Sequence, residues 1–196
     1  MINVNEISEN YAAFDDAKIQ KIAKSEIKGL RDEVIPIILE ELARRNLDPE
    51  LIGWVKAERR KLSQLELQEL KTKVENCTCE FCSRNKKLKG YKFDTVIGAL
   101  ILRTVINHRL IVCEDCGRKK RKESAVLTLF LGWFSPRIIL SYPFVMMEKI
   151  QSYIKEDQQS EELIEEFIKD NIGKITLGND NEEVIQRLLY EYHQQD

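Results

Sequence analysis

Apolar positions recur every three or four residues through the first third of the chain, which predicts amphipathic helices. The two earliest runs flank Gly29 and comprise Ala17, Ile19, Ile22, Ala23 and Ile27, then Val34, Ile35, Ile38, Leu39 and Leu42. Asn46 is the predicted stop of the second helix. Asp48 followed by Pro49 predicts the N-cap and first residue of a third helix. Ser63 with Glu66 has capping-box spacing and predicts a fourth helix that runs to about Glu75.

The pattern changes to that of β-strands between residues 91 and 112. Tyr91 and Phe93 open a stretch rich in β-branched and aromatic residues, which favour strands. Asn107 and His108 are predicted to form a turn before the apolar residues 110–112. The pattern therefore predicts a β-hairpin or meander in this segment.

Helical spacing returns near the C-terminus. Residues 144–153 predict one helix, and Ser160 is the predicted cap of a second helix that closes at Gly173. Residues 180–183 resemble a capping box that opens a last helix.

Composition places the chain among globular proteins. Of 196 residues, 43% are hydrophobic and 33% are charged, which excludes a disordered, collagenous or multi-span membrane chain. Five cysteines are too few, and odd in number, for a secreted disulfide framework. The N-terminus also lacks the basic and apolar regions of a signal peptide. We therefore expect a reducing compartment, namely the cytoplasm.

The net charge of −2 conceals blocks of unlike charge. Residues 1–76 carry −2, residues 77–123 carry +7, residues 124–147 carry +1 and residues 148–196 carry −8. Such blocks usually mark modules, so we predict an N-terminal helical segment at 1–76, a middle module at 77–123 and a C-terminal segment at 124–196. The acidic tail is expected to compensate the basic module within the chain; the alternative is an anionic partner.

Four cysteines form two CxxC pairs, Cys79 with Cys82 and Cys113 with Cys116. Two intervening residues let both sulfurs of a pair converge on one ion, and two pairs complete a tetrahedral thiolate set. The pattern predicts a structural Zn²⁺ site without an open position for catalysis. The fold class is then α+β, mostly α, in which helical segments flank a small zinc-ribbon-like β module.

Three nearby residues carry subsidiary predictions. Cys77 is predicted to be a free thiol, with replacement of Cys79 as a ligand as the alternative. His108 is predicted to be a turn residue rather than a ligand. Gly117 is the residue expected to accept positive φ after the second pair, whereas Ser83 is less typical of that position.

Basic residues follow both cysteine pairs. They give the alternative of nucleic-acid or anionic-surface binding, since each Lys or Arg that meets a phosphate adds salt-dependent affinity. No base-stacking aromatic array accompanies them, so a solvated collar at a helix entrance is the preferred interpretation. The residues are Lys86, Lys87, Lys89, Arg118, Lys119, Lys120, Arg121 and Lys122.

An apolar stretch follows, from residue 124 to 147, with Arg137 as its only charge. Its length would span a bilayer, but Gly132, Pro136 and Pro143 divide it into runs of the length of core helices. A buried core is the preferred interpretation, and a membrane-inserted hairpin or interfacial anchor is the alternative.

Residues 77–150 resemble a group of uncharacterised bacterial proteins that join a zinc ribbon to an LGWW-x-x-P apolar motif. The resemblance rests on the two CxxC pairs, on Leu88, Lys89 and Gly90, and on the apolar motif Leu131, Gly132, Trp133, Phe134, Ser135 and Pro136. Phe134 and the following Arg137 and Ile138 depart from the pattern. The resemblance implies a zinc site and no particular activity.

The sequence contains only two histidines and lacks the common hydrolase, nucleotide-binding and metalloprotease motifs. We therefore expect a non-catalytic, zinc-binding protein that acts as a protein-interaction or regulatory module. Nucleic-acid binding and peripheral membrane association are the alternatives.

Overall fold

The computed structural model describes residues 4–99, 102–132 and 156–194. The described part is mostly helical with one two-stranded antiparallel sheet, which confirms the predicted fold class. The elements are α1 (Val4–Ala12), α2 (Asp16–Lys21), α3 (Ile35–Arg44), α4 (Pro49–Glu58), α5 (Gln64–Asn76), β1 (Leu88–Ala99), β2 (Leu102–Cys113), α6 (Glu114–Gly132), α7 (Glu156–Asp170), α8 (Ile172–Leu177) and α9 (Glu182–His193). A π-helix (Ile22–Glu26) and a 3-10 helix (Ile27–Gly29) continue α2.

The chain divides into two compact units, and the first comprises Met1–Gln64 with Asp170–Val184. Two of its helix boundaries, the end of α3 and the start of α4, lie where local signals predict. Helix α1 was not predicted, and the predicted helix that contains Ile27 leaves α-helical geometry after Lys21. The Asp48 side chain accepts a hydrogen bond from the Glu50 amide at 2.9 Å, and Asn46 ends α3 with a φ of 51°. Seven of the ten apolar positions predicted from spacing lie in one buried core with Leu51 and Val55 of α4, whereas Ala17 is exposed. The seven are Ile19, Ile22, Ala23, Ile27, Val34, Ile38 and Leu42.

A buried carboxylate in α3 of this first unit binds two arginine side chains. Glu41 accepts hydrogen bonds from Arg44 at 2.7 Å and from Arg45 at 2.8 Å. Arg45 also donates to the Phe14 carbonyl, which ties α3 to the chain before α2. The two guanidinium groups, Arg44 first, lower the pKa of Glu41 below its ordinary value, although burial opposes them.

We expect Glu41→Gln to lower the free energy of unfolding at pH 7 by about 1 kcal/mol, because a charge-assisted contact is lost. The folded-state pKa of Glu41 is lowered, so its contribution is complete above its unfolded pKa, about 4.3, and is lost as pH falls through the folded pKa. The difference in the free energy of unfolding, measured with urea, should be full at pH 7 and smaller at pH 3. Glu40→Gln, at an exposed neighbouring position, is the matched control; an equal loss at both pH values would contradict this account.

The second unit comprises Leu65–Lys169 with Ile185–Asp196 and contains the hairpin. β1 pairs with β2 from Leu88 opposite Cys113 to Ala99 opposite Leu102. The predicted turn at Asn107 and His108 is therefore wrong: both residues lie within β2. The β-branched residues that surround them extend the strand through a dipeptide that locally favours a turn.

Hydroxyl groups connect α6 to β1. The Thr95 and Ser124 oxygens are 2.7 Å apart, and Ser124 donates onward to the Asp94 carbonyl. The Val96 amide donates to the Thr128 hydroxyl at 3.1 Å one turn later. His108 extends this series of hydrogen bonds, because its Nε2 lies 3.0 Å from the Thr95 hydroxyl oxygen. The His108 ring also stacks on the ring of Phe93. These contacts fix α6, and thus its first turn, relative to the hairpin.

Two predictions about the C-terminal helices are wrong. Ser160 is not a cap, because α7 begins at Glu156; its buried hydroxyl instead accepts a hydrogen bond from the Gly90 amide at 2.8 Å. Gly173 does not end α7 but lies within α8. Its missing side chain leaves room for the Glu58 carboxylate, since a Cβ there would lie 1.9 Å from Oε2. The predicted helix at 144–153 lies outside the described residues.

The units do not coincide with the three predicted segments. The division at 76 falls at the end of α5, but the division at 123 falls inside α6. Nearly all of helix α5 belongs to the same unit as the hairpin. Within the C-terminal segment, Asp170–Val184 belongs to the first unit, whereas the stretches on either side of it belong to the second. Tertiary contacts between distant parts of the chain decide this grouping, which charge blocks cannot reveal.

Candidate metal centre

The first cysteine pair lies in a tight turn between α5 and β1. The Ser83 amide donates to the Cys79 carbonyl at 2.7 Å, and the Cys79 amide donates to the Arg84 carbonyl at 3.1 Å. Ser83 has a φ of 53°, so this residue takes the left-handed conformation that closes the turn. We call residues 79–83 the first knuckle.

The second cysteine pair joins a strand to a helix rather than forming a second knuckle. Cys113 is the last residue of β2, and Cys116 lies in the first turn of α6. The expectation of positive φ at Gly117 is wrong, because no described glycine has a positive φ and Gly117 lies inside α6. Gly117 is required for a different reason: a Cβ there would lie 2.3 Å from the ring of Tyr91.

The hairpin register brings the two pairs together. The four sulfur atoms of Cys79, Cys82, Cys113 and Cys116 all lie within 4.8 Å of one another. The Cys82 and Cys113 sulfurs are 3.6 Å apart. Four sulfurs placed 2.3 Å from a tetrahedral zinc would be separated by about 3.8 Å, so the donor set fits such an ion. The four thiols could therefore hold a metal ion.

The surroundings of the thiols affect their pKa values in opposite directions. Burial raises the pKa values of Cys79 and Cys116, whereas the backbone N–H of Arg84 lowers that of Cys82. The Cys113 amide also points at the Cys79 sulfur, at 3.5 Å. Backbone N–H groups thus favour the thiolate form that a metal requires.

Comparison with protein-family models, curated proteins and solved structures finds no match for this chain. The resemblance of residues 77–150 to the bacterial group stays an expectation, and its apolar motif extends past residue 132 into the part of the chain that the structure does not describe.

Cys77 and His108 are not part of the cluster. The Cys77 sulfur lies one helical turn from Lys73 and donates to the Lys73 carbonyl at 3.3 Å. The four-thiol set forms without it, so the alternative in which Cys77 replaces Cys79 is not the arrangement found. His108 instead contacts Thr95 on the hairpin.

Sequence reasoning missed two residues of α9: His193 contacts the first knuckle, and Gln186 contacts the residue before it. His193 Nδ1 lies 2.5 Å from the Glu80 carboxylate, and its Nε2 accepts a hydrogen bond from the Ile111 amide at 3.2 Å. Gln186 bonds both the amide and the carbonyl of Thr78. The contact between His193 and Glu80 spans 113 residues, so no local pattern could predict it. The only signal in the sequence was that the chain has just two histidines.

Most of the predicted basic residues have acidic partners. Five of the eight form ion pairs: Lys86 with Asp115, Lys87 with Glu75, Lys89 with Asp157, Arg118 with Glu114 and Lys120 with Glu123. Arg121 is buried with its guanidinium over the Tyr91 ring. Lys119 and Lys122 are exposed on α6, beside an open groove of about 520 Å³. The run lies within a helix, not before its entrance.

The acidic C-terminal segment compensates part of the basic module. Glu166 of α7 forms ion pairs with Lys92 at 3.0 Å and with Arg109 at 2.8 Å. Glu165, one residue earlier, pairs with Lys71. For these residues the predicted compensation within the chain is confirmed.

The apolar stretch 124–147 is only partly described. Its first residues form the end of α6, where Val126, Leu127 and Phe130 are exposed. Among the helices that the structure describes, none combines the length and the apolar character needed to cross a bilayer. The remainder of the stretch, from residue 133, lies outside the described residues.

Proposed function

We propose that this protein is a non-catalytic, zinc-stabilised interaction or regulatory protein. The observation that carries the proposal is the convergence of four thiols from a knuckle, a strand end and a helix start. Such a site would fix three elements at one point, and the described cysteines form no disulfide that would do so instead.

The chemistry of the donors favours zinc. A tetrahedral set of four sulfurs is typical of zinc or of iron, and hard cations such as Mg²⁺ and Ca²⁺ prefer oxygen. Zn²⁺ with four thiolates carries a net charge of −2. Lys86 interacts electrostatically with Cys113 and would offset part of that charge.

A structural role follows from the number of protein ligands. Catalytic zinc sites keep one position for water or substrate, whereas four cysteines fill the tetrahedron. Zinc would therefore supply rigidity, and the helices held around the hairpin would supply a surface for a protein partner.

Nucleic-acid binding and membrane association stay predictions. The ion pairs of Lys86, Lys87 and Lys89 reduce the charge offered to a phosphate backbone, although exposed pairs are weak enough to exchange partners. Neither alternative has an observation that favours it over a protein partner.

Metal analysis of the purified protein tests the proposal. Expression in medium that contains both zinc and iron should yield about one zinc per chain and little iron. Replacement with Co²⁺ should give the absorption of a tetrahedral cobalt–thiolate centre. Protein that is folded and free of metal, or that carries iron instead, would refute the assignment.

A further inference from the structure

Helix α9 holds the first knuckle from outside the four-thiol cluster. Gln186, in the second turn of α9, accepts a hydrogen bond from the Thr78 amide at 2.8 Å and donates to the Thr78 carbonyl at 3.1 Å. Thr78 directly precedes Cys79. The side-chain amide thus satisfies both backbone groups of the residue that leads into the knuckle.

His193, at the other end of α9, contacts the middle of the knuckle. Its side chain is only 3% exposed. Because the Ile111 amide donates to Nε2, the proton of a neutral ring is on Nδ1, where it is donated to the Glu80 carboxylate. The ring also meets Phe81 edge to face, with centroids 5.5 Å apart. One side chain thereby connects the knuckle to β2.

The contacts of His193 depend on the shape of the knuckle. Glu80 and Phe81 are the two residues between Cys79 and Cys82, so their positions follow from where the two sulfurs are held. Nothing covalent holds those sulfurs together. A metal ion bound by both would fix Glu80 where His193 meets it.

We propose that His193 is a positioning residue for the first knuckle and couples metal occupancy to the docking of α9. Zinc binding strengthens the docking of the C-terminal helix, and docking strengthens zinc binding by the same factor, because coupling between two binding events is reciprocal. This inference rests on the proposed zinc site. Loss of zinc would then weaken the docking of α9, which makes the centre a metal-dependent switch as well as a support.

Zinc affinity, measured by competition with a chromophoric chelator, tests the coupling. His193→Ala should weaken zinc binding about 10-fold or more, the usual effect of removing a group that orients a metal ligand. His193→Gln keeps one donor and one acceptor and should recover part of the loss. Tyr190→Ala changes an exposed residue of the same helix, so the zinc affinity of this variant should equal that of the wild type.

Glu80→Gln provides a second variant in case His193→Ala does not fold. It should also weaken zinc binding, and the double variant should lose little more than the larger single change, because both act through one contact. Unchanged zinc affinity in the variants that fold would overturn the coupling, even if their melting temperatures fall.

Hydrogen exchange of the wild type provides the reciprocal measurement. Amides of α9 should exchange faster after zinc is chelated, and the amides of α3 serve as the reference within the first unit. Equal protection of α9 with and without zinc would overturn the coupling. A wild-type protein that binds no zinc would instead refute the proposed function itself, so the two failures are distinguishable.

Discussion

Cys113→Ser should abolish tight zinc binding and lower the melting temperature by roughly 8–16 °C. For a chain of this size, that shift corresponds to a loss of about 4 kcal/mol in the free energy of unfolding. Cys113 is fully buried and terminates β2 opposite Leu88. Its sulfur lies 3.6 Å from that of Cys82, and its amide points at the sulfur of Cys79. Loss of this one ligand therefore affects the contacts of both cysteine pairs.

Cys77→Ser is the matched control for this variant. Cys77 is buried and close in sequence to the cluster, but its sulfur donates to the Lys73 carbonyl, a bond that a serine hydroxyl can reproduce. The control should keep one zinc per chain and nearly the wild-type melting temperature.

Chelation completes this test. A strong chelator should lower the melting temperature of the wild type and of Cys77→Ser towards that of Cys113→Ser, and should leave Cys113→Ser itself unchanged. A Cys113→Ser protein that keeps its zinc, or that melts with the wild type, would contradict the structural role of the site.

Gly117→Ala should lower the free energy of unfolding by about 3 kcal/mol, at the upper end of what overpacking costs. The added methyl group would lie 2.3 Å from Cε2 and 2.4 Å from Cζ of Tyr91. Tyr91 is only 1% exposed and lies beneath the Arg121 guanidinium, so the ring has little room to move. The remaining response is a shift of α6, whose first turn carries Cys116.

Gly53→Ala is the matched control, because a Cβ at Gly53 meets nothing within 4 Å. It lies inside α4, where alanine is favoured over glycine, so this variant should gain about 0.5–1 kcal/mol. Urea unfolding measures both changes. Addition of Tyr91→Leu to Gly117→Ala should recover part of the loss, and a Gly117→Ala protein as stable as the wild type would show that the two elements are not in tight contact.

Local signals predicted the parts of the fold that depend on neighbouring residues. Asp48 caps α4 and Asn46 ends α3 because each acts on backbone groups within a few residues of itself. The two CxxC pairs predicted the cluster for a similar reason, since the spacing within each pair sets how its sulfurs converge.

Signals that compete with distant contacts misled the predictions. Ser160 has the chemistry of a cap, but its hydroxyl accepts from Gly90 across the unit, and α7 starts a turn earlier. Asn107 and His108 favour a turn locally, yet each has a partner in β1. In both cases, hydrogen bonds to another element outweigh a local preference of about 1 kcal/mol.

By itself, the sequence determined the end of α3 and the start of α4, the strand-rich segment and the four-cysteine donor set. Only the tertiary structure decided that the second cysteine pair opens a helix, that Tyr91 makes Gly117 necessary and that His193 meets Glu80. The physical reason is the separation along the chain of the residues that interact. Caps and CxxC spacings act within a turn of chain, whereas these three arrangements join residues brought together only when the hairpin and its helices pack.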